Sequence, residues 1–195
     1  MKKLSRSFYT RSSLPVAKDL LGKILVRKIG GATLAGKIVE AEAYRGAKDP
    51  ASHAYRGKTK RNEVMFGEGG FLYVYFTYGM HFCANVVTGN KDIGEAVLIR
   101  ALEPLQGVET MKKNRRFSAG TMNEINLTNG PAKLCQAFGI RKKNNGTDLL
   151  GDNIFLIEGE PITKSIIGVS TRIGISRGKK KKWRFFVKGN AWVSK

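Results

Sequence analysis

Two carboxylates and a phenol recur at every second position of Ile38-Val39-Glu40-Ala41-Glu42-Ala43-Tyr44. In an extended chain this segment carries Ile38, Glu40, Glu42 and Tyr44 on one face and Val39, Ala41 and Ala43 on the other. A carboxylate there could serve as a general base beside an aromatic platform. By pattern alone, a solvent-facing strand surface is a somewhat commoner meaning of the same residues. His53 follows in Asp49-Pro50-Ala51-Ser52-His53-Ala54; a lone loop histidine is more often structural or exposed than catalytic. A second group sits on Phe71–Thr77 and His81–Val87, two strands around Tyr78-Gly79-Met80. Tyr73, Tyr75 and Thr77 share a face. Tyr78 falls at the turn, where an exposed ring could wedge into a base stack or cover a core edge. Asn85 is an isolated amide in an apolar run and needs a partner if buried.

Other chemistries are disfavoured. Two His and two Cys, without a CxxC pair, make no metal set. The glycines at 67, 69 and 70 lack the Lys-Ser/Thr of a phosphate-binding loop. Metal hydrolysis and nucleotide-triphosphate chemistry are therefore disfavoured. Cys83 and Cys135 lie in apolar stretches and read as buried free thiols. The N-terminus carries charge without an apolar run behind it, so no secretory signal is expected and a reducing cytoplasm fits.

The elements that must position these residues are mostly strands. A helix is expected over Val16–Leu21, with Ser13 as N-cap, Pro15 in its first turn and Gly22 as its stop. Strands are expected over Lys23–Ile29, Thr33–Tyr44, Phe71–Thr77, His81–Val87, Glu95–Leu102, Ile154–Ile157, Ile166–Ile175 and Trp183–Lys188. Helices are expected over Pro104–Arg116 and Pro131–Phe138, and a long polar loop over Gly46–Glu68. Strands following strands, with helices between the groups, predict an α+β fold. The expected form is a single mixed domain over residues 1–195: a curved, largely antiparallel sheet with surrounding helices and a protruding β-hairpin.

Lys and Arg number 35 against 15 Asp and Glu, a net charge of +20 on 195 residues. Such an excess points to a polyanion or a membrane surface. The cations come in loop clusters: Arg56, Lys58, Lys60 and Arg61; Lys112, Lys113, Arg115 and Arg116; Lys179 to Lys182 with Arg184. They do not line one face of a long amphipathic helix, so nucleic acid is favoured over a membrane. The uncharged window between Glu68 and Lys91 is long enough to span a bilayer. Its glycines, threonines and asparagines, and its period-two aromatics, read instead as a soluble hairpin.

Val39-Glu40-Ala41-Glu42-Ala43-Tyr44, Asp49 to His53, Arg61-Asn62 before Met65-Phe66, and Leu72 through Asn85 together resemble the 3-methyladenine (alkyladenine) DNA glycosylases. The resemblance continues through Val97 to Pro104, Gly130 to Gln136, Arg184 to Val187 and Trp192 to Ser194, in order along nearly the whole chain. It implies a monofunctional, cofactor-free glycosylase, a monomer acting on double-stranded DNA that contains damaged purines. Glu42 matches the catalytic base that activates water, and Arg100 a residue positioning Glu42 and that water. Tyr44 and Tyr75 match the aromatics that sandwich the flipped base, with His53 on the pocket wall. Asn85 matches the amide that rejects the guanine amino group, and Tyr78 the intercalating residue. A non-catalytic RNA-binding module using the same basic clusters is the alternative; a related-fold formyltransferase domain is a weaker third.

Overall fold

A computed structural model of the chain describes residues 2–77, 79–116 and 123–194. Among them a nine-stranded sheet is flanked by four helices, so the fold is α+β in one mixed domain. The strands are β1 (Ile24–Ile29), β2 (Ala32–Arg45), β3 (Phe71–Thr77), β4 (His81–Thr88), β5 (Glu95–Gln106), β6 (Thr147–Asp148), β7 (Ile154–Ile157), β8 (Ile167–Ser170) and β9 (Arg184–Val187). Their order is β6-β3-β4-β5-β2-β1-β7, with β9 pairing β2 and β8, and every pairing is antiparallel. The helices are α1 (Arg6–Tyr9), α2 (Ser13–Asp19), α3 (Val108–Asn114) and α4 (Pro131–Ala137). No helix among the described residues is long and apolar enough to cross a membrane. Glu68–Lys91 is instead dominated by the β3–β4 hairpin.

The 14-residue β2 organises the sheet. Its first half pairs β1, its second half pairs β9 at Glu40–Glu42, and β5 runs along its other edge. Val39, Ala41, Ala43, Ile99, Leu102 and Phe138 lie in one continuous core with Leu20 and Leu134. Both cysteines are free and buried.

Three expectations need correction. The first concerns α2, which begins at Ser13 itself, with Ser12 as the N-cap residue. Ser13 N and Oγ and Ser12 Oγ all donate to Glu95 Oε2, at 2.7, 2.8 and 3.1 Å. A carboxylate from β5 thus caps the helix, and Gly22 at φ +85° turns the chain out of it. Secondly, the segment expected as a helix from Pro104 starts as strand. β5 runs through Pro104 to Gln106, with Pro104 at a register shift opposite Gly36, where a missing N–H is tolerated. Gly107, at φ +77° and tight against Leu34, then turns into the shorter α3. Lastly, the strand expected over Ile166–Ile175 is only four residues long. Its partner β9 offers four pairing positions, and beyond Ser170 the chain turns inward.

Candidate active site

β2, the β3–β4 hairpin, β5 and two loops enclose a cleft of about 670 Å³. Of the residues singled out from the sequence, Tyr44, His53, Tyr75, Asn85 and Arg100 all line it. The Pro50–His53 loop forms one rim and Ile173–Arg177 the other, with Arg56 and Arg177 at the margin. Tyr78 lies outside the described residues, so the intercalation expectation receives no structural account. Its hairpin neighbours Phe76 and Met80 are exposed, at 47% and 69%.

The solvent-facing reading of the carboxylate face is overturned: Glu40 and Glu42 are both wholly buried. They occupy different chemical positions. Glu40 accepts from Arg100 Nε (2.9 Å), Arg184 Nε (2.6 Å), Ser194 N (2.7 Å) and Ser194 Oγ (2.8 Å). Three of these donors converge on Oε1, and Arg184 and Ser194 lie away from the cleft lining, so Glu40 is a structural anchor for the C-terminal segment. Glu42 accepts from Ile173 N (2.8 Å) on Oε1, with Arg100 Nη1 3.3 Å from the same oxygen. Its Oε2 meets the Tyr44 hydroxyl at 3.0 Å. Among the described residues Oε2 therefore keeps accepting capacity. All three partners of Glu42 are cleft-wall residues, so the carboxylate lies directly behind the floor.

A local irregularity places Arg100. The β2–β5 register runs Ile38↔Leu102, then Glu40↔Ala101, then Ala41↔Ile99, which leaves Val39 and Arg100 without cross-strand partners. Bulges of this kind re-aim side chains. Here the guanidinium spans both carboxylates.

Burial raises the Glu42 carboxyl above its usual range, against the lowering effects of Arg100, the Ile173 N–H and Tyr44. Arg100 does favour the ionised form, as its charge predicts, but desolvation outweighs it. Desolvation lowers the Arg100 guanidinium, yet Glu42 and Glu40 more than compensate and hold it raised. Burial also pushes up the Tyr44, Tyr75 and Cys83 groups.

The tyrosine wall is interlocked. Tyr75 stacks on Tyr73, with centroids 5.7 Å apart, and meets the His53 ring edge-on at 4.5 Å. It lies opposite Cys83 across the hairpin. His53 Nδ1 lies 3.0 Å from the Tyr73 hydroxyl. Packing against these rings, and the charge of Arg61, lower the imidazole below its ordinary value, which favours the neutral ring at pH 7. Asn85 is buried and donates from Nδ2 to Tyr73 O at 3.1 Å, which fixes the amide orientation. Its Oδ1 accepts from no described group, and the residue borders the cleft. Among the described residues, no group of His, Cys, Asp and Glu gathers as a metal site.

Two participants carry no signal of their own in the sequence. Arg172 and Asp49 form a fully buried ion pair beneath Tyr44 and behind both rims. Asp49 stands in a motif singled out for its histidine, and Arg172 sits in a run expected to be strand. Only the tertiary contact gives either a role.

A cleft walled by tyrosines, backed by a buried Arg–Glu pair and edged by arginines, on a chain of net charge +20, has the charge and the ring surface to receive an anionic ligand bearing flat rings. Comparison with known proteins narrows this class. The methylpurine-DNA glycosylase family pattern matches residues 7–191, and the chain belongs to that family. A Carboxydothermus hydrogenoformans protein named "Putative 3-methyladenine DNA glycosylase" is 56% identical over 193 residues, covering 98% of each chain. Proteins of the same name from Clostridium acetobutylicum and Chlorobaculum tepidum are similar. The first is 46% identical over 200 residues, covering 98% of this chain and 97% of its own. The second is 47% identical over 196 residues, covering 100% and 92%. The family is one of DNA N-glycosylases, hydrolases that act on DNA. Nothing here supports the RNA-binding alternative.

Proposed function

We propose that the protein excises alkylated or deaminated purines from duplex DNA, acting as a monomer on the nucleoid and leaving an abasic site. The observation that carries this reading is Glu42 Oε2, a buried carboxylate oxygen with one neutral donor, which lies directly behind the floor of a tyrosine-walled cleft. The purine is rotated out of the helix, at a cost of a few kcal/mol. It stacks among Tyr44, Tyr75 and His53, which returns about 1–3 kcal/mol per base. An alkylated, cationic purine gains further on the electron-rich tyrosines. Arg100 and Tyr44 orient a water at the floor. Its oxygen attacks the sugar C1′, its proton passes to Glu42, and the purine departs with the glycosidic electron pair. Burial brings the Glu42 carboxyl closer to the working pH, where a base is more effective. Asn85, its Nδ2 tied to Tyr73 O, borders the cleft as a fixed amide and discriminates by steric clash against a purine whose exocyclic amino group would run into it.

The test is catalytic turnover. Duplex containing hypoxanthine or 1,N6-ethenoadenine, incubated with substoichiometric protein, yields abasic sites in excess of the protein present. Stoichiometric binding without product on every alkylated and deaminated purine tried would overturn the reading.

A further inference from the structure

The 171–178 loop follows the short β8 without regular structure, yet one of its side chains is among the most enclosed charges in the molecule. The Arg172 guanidinium has no exposed surface, and neither does the Asp49 carboxylate that it grips with two hydrogen bonds. Arg172 Nη1 also donates to Ala43 O at 2.9 Å, on β2 next to Tyr44. The guanidinium lies between two rings, 4.6 Å from the Tyr44 centroid and 5.0 Å from that of Trp183. Asp49 in turn accepts from Arg45 N at 3.3 Å and Ala51 N at 3.2 Å, which sets the start of the Pro50–His53 rim. One ion pair therefore joins the end of β2 to both rims of the cleft.

Stability alone does not account for this arrangement. Burying an ion pair seldom gains over packing apolar side chains in the same space. This pair is incompletely satisfied as well, because Arg172 Nε is buried without an acceptor among the described residues. What the pair does fix is the backbone one residue further on. Ile173 N donates to Glu42 Oε1 at 2.8 Å, the shortest contact that Glu42 makes. A loop amide can hold that position only if its loop is tied down. The tie is Arg172, which also backs the Tyr44 ring.

We propose that Arg172, clamped by Asp49, is a positioning residue for base excision: it holds the Ile173 N–H on Glu42 and the Tyr44 ring over the cleft floor. The proposal deepens the glycosylase reading and rests on it. The groups facing Glu42 are Arg100 from β5, Glu40 and Tyr44 from β2 itself, Cys83 from β4 and Arg184, opposite in register, from β9. Of these only Tyr44 touches Arg172, so a change in Glu42 behaviour reports on the two groups that Arg172 holds, the Ile173 N–H and the Tyr44 hydroxyl. An N–H donated to a carboxylate favours its charged form, and losing the donor raises the carboxyl further.

The test is Arg172→Lys, which keeps a cation for Asp49 but loses the planar fork and the stacking. Asp49→Asn serves as a second variant that leaves Arg172 itself in place. Single-turnover excision of hypoxanthine is followed against pH, with lesion affinity measured in parallel. The burst amplitude counts folded, competent molecules, while the rate constant reads chemistry. The expected result is a rate constant lower by about tenfold or more, affinity near wild type, and an acidic limb displaced to higher pH. A reduced amplitude with an unchanged rate constant and limb in either variant would make the pair merely structural and overturn the proposal. Weakened affinity at an unchanged rate constant would overturn it too. Glu42→Gln, run alongside, separates the two readings. If Glu42→Gln excises normally, the glycosylase mechanism itself fails. If Glu42→Gln is inactive and Arg172→Lys behaves as wild type, only the positioning role fails.

Discussion

Glu40 and Glu42 have the same chemistry, stand two residues apart and share one strand face, yet their partners separate them. Four donors, two of them guanidinium nitrogens, hold Glu40. Replacing it by Gln takes from Arg184 the carboxylate it is paired with and leaves Arg100 with Glu42 alone, a loss on the order of 3–5 kcal/mol. Glu40→Gln is therefore a folding variant, not a neutral control. Glu42 is buried with a raised carboxyl pKa, and the sign of the consequence follows. A group whose folded pKa is raised gives its stability below the unfolded pKa and loses it as pH rises through the folded one. Above that range wild type bears the penalty of a buried negative charge, and Glu42→Gln does not, while Arg100 keeps Glu40 as its partner. Glu42→Gln is expected to melt higher than wild type at neutral pH, with the gap closing as the solution is acidified. Thermal unfolding over a pH series checks this; a gap that widens on acidification would contradict it. The alternation that puts both carboxylates on one face is legible in the sequence. Their burial is not, because the covering residues Arg184 and Ser194 come from about 150 positions further along the chain.

Among the elements, α2 depends on a residue that is not its own. Glu95, the first residue of β5, takes Ser12 and Ser13 donors at the helix start and lies 3.5 Å from Arg45 Nε. Removing the carboxylate leaves buried donors without an acceptor, which costs about 2–3 kcal/mol. For a domain of this size Glu95→Ala should lower Tm by roughly 5–10 °C. An unchanged Tm in a thermal scan would mean that the helix is capped by other means. The same element shows where sequence reading stops. Pro15 falls in the first turn as expected, but the helix ends at Asp19, short of Leu21 and the Gly22 stop, and which serine precedes it depends on where Glu95 lies. The apolar run Ile154–Ile157 gives β7 with the observed limits, because all four of its residues are buried, and β3 matches its expected span as well. Pro104 reads as a helix start, but the strand bulge opposite Gly36 accepts it. Ile166–Ile175 reads as one strand, but pairing ends where β9 ends, and Arg172 and Ile173 turn toward Asp49 and Glu42.

For the molecule as a whole, the charge excess falls into place around the cleft. Arg56, Lys58, Lys60 and Arg61 are exposed beside one rim, and Arg177, Lys179, Lys180 and Lys182 beside the other. Lys112 is engaged by Glu109 and Glu124, so its own cluster is partly neutralised. Each phosphate neutralised contributes about 0.9 to the log–log slope of affinity against salt. A footprint of about five phosphates then predicts roughly 500-fold weaker duplex binding for a fourfold rise in salt. Affinity that is flat across that range would remove the phosphate-tracking role of these loops. Net charge and the unbalanced C-terminal stretch announce such a surface from composition. The cleft itself needs the three-dimensional meeting of segments around 44, 53, 75, 85, 100 and 173, which no local pattern contains.

The central claim is that Glu42 is the base for hydrolysis. Single-turnover excision of hypoxanthine from duplex DNA by Glu42→Gln, with lesion affinity measured on the same preparation, tests it most directly. The expected outcome is near-normal affinity with the excision rate constant reduced by about 10²–10⁴-fold or more. A rate constant within a few-fold of wild type at normal affinity would contradict the account.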